Sequence, residues 1–396
     1  MITVNGRAYR LPSRPVVGIC LDGTSSAYLE AAADLMPNLQ SMREAGAAGT
    51  ARAVIPSFTN PNNVAIATGV PPAENGICGN YYFDEARGQE VMMNDPAYLR
   101  CPTIFGAFAA AGESVAVVTT KDKLRLMLGK DLRGMCVSVE TGGAELRDLV
   151  GRPAPGIYDP EISIYCLETG VRLLETRRVA LMYLSTTDFV QHKFPPASEQ
   201  ARSFYARADE MLGRLHHLNA VVGITADHGM NDKTNPDGTP NIRFLETLLE
   251  EAGFRGARVI LPITDPYVVH HGALGSWATV YFPDGLAQAA RKYLETIPGV
   301  ELVLTRDEAA RRFSLPADRL GELVVLGDQS TVLGRTPSWH DLSAVGSGLR
   351  SHGGLHEGSV PLIINRRLRP EWSRRLAEGN VNNYDLFDFA LNGVVE

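Results

Sequence analysis

Short, nearly uninterrupted apolar runs recur along the chain, separated by stretches in which apolar residues return every three or four positions. The runs Val16–Leu21, Ser114–Thr119, Val179–Leu184, Ala220–Thr225 and Val360–Ile364 predict β-strands. The spaced pattern predicts helices over Asn38–Ala45, Thr103–Ala111, Ile162–Glu175 and Glu199–Leu215. A strand without polar alternation is covered on both faces, so the alternation of such strands with amphipathic helices predicts an α/β fold. Its core is a mostly parallel central sheet sandwiched by helices. In sheets of this kind functional groups gather beyond the carboxyl ends of the strands.

The texture changes between about Asn231 and Val345. Here Trp277–Phe282, Glu301–Thr305 and Glu322–Leu326 read as strands and Leu286–Thr296 as a helix, which predicts a smaller α+β cap inserted into the main fold. The expected division is a catalytic core of residues 1–230 plus 346–396 and an inserted cap domain of residues 231–345. A chain of 396 residues is long enough for both.

Composition narrows the function. Residues are 44% hydrophobic and 21% charged with a net charge of -7, as in an ordinary soluble protein. No Lys/Arg run suggests a nucleic-acid partner, and no apolar stretch is long enough to cross a membrane. The five cysteines (Cys20, Cys78, Cys101, Cys136, Cys166) form no C-x-x-C pair, so neither a thiolate metal site nor a disulfide framework is expected. Without an apolar leader near Met1, a cytoplasmic location is expected. An acidic protein that handles an anion needs a local positive site, and bound metal supplies one.

Chemistry concentrates where strands end. Asp22 follows V-V-G-I-C-L, Asp188 follows V-A-L-M-Y-L-S-T-T and Asp227 follows V-V-G-I-T-A. A single strand-end aspartate is as often a helix cap. Here His192 stands four residues after Asp188, on the same face of a helical turn. His228 follows Asp227 directly and precedes Gly229, which suits two ligands splayed around a tight turn. Oxygen and imidazole donors without thiolate suit zinc or a similar divalent ion. Thr59, in I-P-S-F-T-N-P-N-N, opens a helix expected to run to about Thr68, with Thr59 or Asn60 as cap and Pro61 in its first turn. An isolated threonine there is usually a cap alone, but a helix N-terminus also cradles phosphate, and a hydroxyl beside a metal becomes a nucleophile. Among the other histidines, His216 and His217 are expected to pair with the last carbonyls of a helix, and His270, His271 and His340 share no metal spacing.

Taken together, D-G (22–23), P-x-x-T-x-P-N (56–62), T-G-V-P-P (68–72), E-N-G-I-x-G-N (74–80), D-x-x-x-H (188–192), A-D-H-G-M (226–230) and S-H-G-G (351–354) resemble the alkaline phosphatase superfamily. N-P-N and N-G-I-x-G-N are similar to its nucleotide pyrophosphatase/phosphodiesterase-like branch. G-N-Y-Y-F-D (79–84), T-K-D-K-L-R (120–125), V-L-G-D-Q-S-T-V-L-G (325–334) and L-R-S-H-G-G (349–354) resemble members that split the carbon–phosphorus bond of phosphonoacetate. The resemblance implies two zinc ions, with manganese or iron as substitutes. Asp188, His192 and His352 would hold one, and Asp22, Thr59, Asp227 and His228 would surround the other. Thr59 would be the nucleophile, Asn80 a donor to a phosphoryl oxygen, and Lys121 and Lys123 the grip on the substrate carboxylate. His356 rivals His352 as a ligand, but His352 occupies the H-G-G. Glu74 stands where the pattern often has histidine.

The expected reaction is hydrolysis of phosphonoacetate to acetate and phosphate through a phosphothreonine. The expected partner is a small anionic phosphonate, and the oligomeric state is left open, a homodimer included. The alternatives are a phosphodiesterase or nucleotide pyrophosphatase of the same branch and a non-catalytic metal-binding protein. An intact Thr59 argues against the latter, and the absence of C/S-x-P-x-R at that place argues against a sulfatase.

Overall fold

The near-continuous apolar runs become the centre of a seven-stranded sheet in the computed structural model, which describes residues 1–263, 272–283, 285–343, 345 and 348–395. His270 and His271 lie outside the described residues. The strands are β1 (Val16–Cys20), β2 (Ala47–Arg52), β3 (Val115–Thr119), β4 (Met135–Ser138), β5 (Leu181–Ser185), β6 (Val221–Thr225) and β7 (Ser359–Ile364). Their spatial order is β2-β7-β6-β1-β5-β3-β4. From β6 across to β4 every pair is parallel, while β7 runs antiparallel to both its neighbours. The pattern did not mark β2, whose A-A-G-T-A-R reads as small and polar because it is an edge with alternating exposure. It also missed the short, half-buried β4.

Alternate side chains of the central strands feed two separate apolar layers. Val16, Val117 and Tyr183 pack with Val64, Phe105 and Phe387 on one face. Val17, Val118 and Leu184 pack with Leu39, Tyr165 and Leu212 on the other. The second layer carries α1 (Pro37–Ala45), α5 (Glu161–Thr176) and α7 (Glu199–His217), and the first carries α2 (Thr59–Thr68) and α3 (Ile104–Ala110). Each of these fully buried side chains contributes roughly 1.5–3 kcal/mol.

Leu181–Ser185 is followed by the short helix α6 (Phe189–Lys193), and β3 by α4 (Asp122–Leu128), before α5. The stretch after β6 builds a separate four-stranded antiparallel sheet, in the order Arg258–Ile260, Trp277–Tyr281, Leu323–Gly327, Val300–Thr305. Trp277 and Val325 join it to the first apolar layer. A hairpin from the first half of the chain, Tyr81–Asp84 with Gln89–Met92, leans on this sheet. The Tyr281 hydroxyl donates to the Phe83 carbonyl at 3.3 Å, and Arg258 pairs with Glu90 at 2.9 Å. Among the described residues no helix is long and apolar enough to cross a membrane.

Candidate active site

The register of the sheet brings the strand-end carboxylates together. Thr225, Cys20 and Ser185 lie side by side at the ends of β6, β1 and β5, so Asp227, Asp22 and Asp188 emerge from three adjacent parallel strands. All of them are buried. The Asp22–Gly23 turn needs glycine: Gly23 has φ +69°, and a Cβ there would sit 2.9 Å from the Asp188 Cβ.

Asp188 caps α6, and the one-turn spacing brings His192 Nε2 to 2.9 Å from Asp188 Oδ2. His352 arrives from the loop before β7, its Nε2 3.6 Å from the same oxygen. His228 Nε2 lies 3.3 Å from Asp22 Oδ1 and 3.9 Å from Asp227 Oδ2. The rings of His228 and His352 are stacked, with centroids 3.5 Å apart. Gly353, at φ +112°, lies so close to the Phe58 ring that a Cβ would clash with it. That glycine lets the H-G-G loop reach in.

In all three histidines Nδ1 is engaged by a main-chain carbonyl: Arg350 for His192 at 2.7 Å, Gly229 for His228 at 2.9 Å and Ser57 for His352 at 2.8 Å. A carbonyl accepts, so Nδ1 carries a hydrogen in each ring, which leaves Nε2 as the atom turned toward the carboxylates and the one a metal would take in place of a proton.

Helix α2 is buried on nearly every side. Phe58, rather than Thr59 or Asn60, takes the cap position, and Thr59 is the first helical residue. Its hydroxyl lies 3.3 Å from His228 Nε2, and the residue stays half-buried while the ligand candidates are sealed. One turn on, Asn63 donates to Asp227 Oδ2 and to the Thr59 carbonyl, both at 3.0 Å. Its own oxygen accepts from the Tyr183 and Ser185 hydroxyls at 2.7 and 2.8 Å. Asn63 was only one letter in N-P-N-N; its position one turn after Thr59 was the signal that could have singled it out.

Three carboxylates in one dry volume need compensating positive charge. Burial first, and then the charges of Asp188 and Asp227, push the Asp22 pKa well above the carboxylate range. Burial opposes charge on His228, but Asp227 and Asp22 more than offset it and hold its pKa up to about 10. Burial and the neighbouring His228 and His192 push His352 well below the ordinary imidazole value. Burial alone would raise Asp188, yet His192, Lys121 and His352 hold it well below the carboxylate range. Both buried oxygens of Asp22 lack a well-formed hydrogen bond. The donor atoms form two sets, Asp188–His228–His352 and Asp22–Asp227–His228, each within 4.8 Å, with His228 common to both. Buried oxygens without donors and imidazoles presenting Nε2 fit divalent cations.

Lys121 stands at the start of α4 with Nζ 3.7 Å from Asp188 Oδ1. Lys123 is buried in the first turn of the same helix. Asn80 is buried too, anchored through its main chain to Pro262 and Met93. Glu74 is exposed. His356 turns away to Glu301 at 2.9 Å, so of the two rivals His352 is the one in the cluster. His340 is a core histidine bonded to the Gly272 carbonyl and the Arg335 amide. His217 bonds the Gly213 carbonyl within its helix, and His216 meets the Asn365 amide. All five cysteines are free.

Residues 16–356 match the family described as type I phosphodiesterase / nucleotide pyrophosphatase. A venom phosphodiesterase of Macrovipera lebetinus is 25% identical over 225 residues, covering 54% of this chain and 25% of that protein. The chain spans about a quarter of the length of the venom phosphodiesterases it matches. The crystal structure of phosphonoacetate hydrolase from Sinorhizobium meliloti 1021 in complex with phosphonoacetate superposes with a TM-score of 0.93 at 48% identity, covering 100% of this chain and 99% of that one. The same holds for its complex with phosphonoformate. Murine ectonucleotide pyrophosphatase / phosphodiesterase 5 shares the fold, with a TM-score of 0.65 at 17% identity over 97% of this chain and 96% of that one.

Proposed function

This chain belongs to the type I phosphodiesterase / nucleotide pyrophosphatase family, and on that premise we propose that it hydrolyses phosphonoacetate to acetate and phosphate. The observation that carries the reading is the full-length likeness, at 48% identity, to an enzyme holding phosphonoacetate. In the same proposal residues 231–345 form a cap inserted into the catalytic core.

Asp188, His192 and His352 would hold one divalent cation, and Asp22, Asp227 and His228, with Thr59, the other. Bound there, two cations (zinc on the donor chemistry, manganese or iron as substitutes) supply charge to the phosphoryl oxygens and lower the pKa of hydroxyl groups. Thr59 Oγ1, its proton given up to solvent, attacks phosphorus in line. The Oγ–P bond forms, the carbon–phosphorus bond breaks, and its electron pair goes to the methylene carbon. The adjacent carboxylate delocalises that charge as an enolate-like species, which takes a proton to become acetate. Water then adds to phosphorus, and the phosphothreonine releases phosphate and the Thr59 hydroxyl.

In this scheme Lys121 and Lys123 bind the carboxylate, where charge grows only in the transition state. A preorganised donor of that kind contributes about 2.7–4 kcal/mol. Asn80 donates to a phosphoryl oxygen. The 3.3 Å approach of Thr59 to His228 and the 3.7 Å approach of Lys121 to Asp188 put these two residues beside the ligand candidates, which supports the parts given to Thr59 and Lys121.

The family match also favours a second reading, a phosphodiesterase with no use for the lysine pair. Phosphate release from phosphonoacetate by zinc-loaded protein, with bis(p-nitrophenyl) phosphate alongside and Thr59→Ala as control, separates the two. Lys123→Ala is expected to lower kcat/KM for phosphonoacetate by about 100-fold more than for the diester. Equal losses on both substrates, or turnover of the diester alone, would hand the site to the second reading.

A further inference from the structure

Outside the cluster, a buried ion pair joins the two loops that deliver its histidines. Lys233 Nζ lies 2.9 Å from Glu357 Oε1, and both side chains are fully shut from solvent. Lys233 Nζ also donates to the Gln329 carbonyl at 2.8 Å, and its amide donates to the Leu349 carbonyl. Glu357 has further ties. Its main-chain carbonyl accepts from the Gly229 amide at 2.7 Å, next to His228. Its Oε2 accepts from the Gly354 amide at 3.0 Å, two residues after His352. Its Oε1 also accepts from Asn231 Nδ2 at 2.6 Å. One residue therefore grips the A-D-H-G loop with its backbone and the S-H-G-G loop with its side chain.

A buried ion pair adds little net stability, because desolvation offsets most of its attraction. What it does supply is a fixed carboxylate orientation, since Lys233, Asn231 and Gly354 leave Glu357 one way to point. His228 and His352 are held with ring centroids 3.5 Å apart and planes within 6° of parallel. In the two-cation reading His352 serves one cation and His228 the other, and their donor atoms lie within 4.8 Å of one another and of Asp188. We propose that Glu357, locked in place by Lys233, is a positioning residue that sets the spacing of His228 and His352 and so fixes the two cation sites relative to one another. The inference rests on the two-cation reading above. It assigns to residues beyond the ligands the control of how both cations bind.

The test strips the full-length protein with chelator and titrates it with Co²⁺, reading visible absorption and bound equivalents. The variants are Glu357→Gln, which leaves the Lys233 charge alone in the interior, and Glu357→Gln with Lys233→Met, which removes that charge. Loss of an outer-shell partner lowers metal affinity by about 10–100-fold. The double variant is expected to recover the apoprotein's thermal midpoint yet keep a weakened affinity of that order and an altered Co²⁺ spectrum. A merely structural tie would move the midpoint alone. A double variant with wild-type Co²⁺ affinity and spectrum overturns the proposal, and so does wild-type protein that takes up no Co²⁺. Turnover is not read in this titration. Wild-type protein that binds Co²⁺ but leaves phosphonoacetate intact would sink the substrate assignment and leave this inference standing.

Discussion

Asn63→Ala tests whether the cluster depends on residues that touch no substrate. The side chain makes four hydrogen bonds in a sealed interior, donating to Asp227 Oδ2 and the Thr59 carbonyl and accepting from the Tyr183 and Ser185 hydroxyls. Truncation takes a partner from four groups; the Thr59 carbonyl keeps the main-chain amide one turn on in α2, and each of the other three left without a partner costs about 1–3 kcal/mol. Full loss would reach roughly 3–9 kcal/mol. The deleted amide, however, leaves room for about one water, which can serve two of those groups. The expected loss is therefore about 1–3 kcal/mol in the stability of the metal-free protein. A second effect falls on function. Asp227 keeps contacts from the Gly23 and His228 amides on its other oxygen, so it stays in place but is free to swing about that end. Loosening a ligand through its outer-shell partner lowers metal retention or activity by about 10–100-fold. Calorimetry of the stripped protein, with metal analysis after dialysis of the loaded protein, reads both effects. A variant that unfolds at the wild-type temperature and retains its metal would refute the reasoning, since it would mean that Asp227 and Thr59 are held by something else.

Three further outcomes follow from the same geometry. Thr59→Ala is expected to abolish phosphate release while metal content stays at the wild-type level, because the ligand candidates other than Thr59 are fixed by their own strand ends and carbonyl contacts; loss of metal along with activity would recast Thr59 as chiefly a ligand. Chelation should lower the thermal midpoint and re-addition restore it, by about 2.7 kcal/mol per site at a hundredfold excess over Kd, and a midpoint indifferent to chelator would remove cations from the account. Asp122, whose carboxylate is held by Arg125, Thr141 and Ser138 at the head of α4, has its pKa lowered to about 2 by the Arg125 hydrogen bond against the pull of burial. A depressed carboxyl stabilises above its unfolded pKa of about 3.9 and loses that contribution as pH falls toward 2, so the stability gap between wild type and Asp122→Asn should narrow from pH 5 to pH 3, whereas a constant gap would contradict the assignment.

Asp22, Asp188 and Asp227 were legible because each sits where a buried parallel strand must end, and such ends share one rim of the sheet whatever the strand order. Which strands are neighbours was not legible. Only the order β6-β1-β5 puts the three carboxylates side by side, and nothing local encodes it. The same limit hid β2, whose small and polar residues follow from an edge position, and the hairpin of Tyr81–Asp84 and Gln89–Met92, whose partner is a sheet far along the chain. Residues that orient others were harder still. His192 could be paired with Asp188 because helical geometry is local, but Glu357 acts on Gly229 and Lys233 across more than a hundred positions, and there is no periodicity at that range. Ligand candidates need only the right atom at the end of a regular element, and regular elements leave a local pattern. Positioning residues need a particular contact between two loops, and such contacts exist only once the chain has closed on itself. Asn63 lies between these cases: its place one turn after Thr59 is local, while Tyr183, Ser185 and Asp227, which give that place its meaning, come from strands β5 and β6 that only the fold brings beneath it.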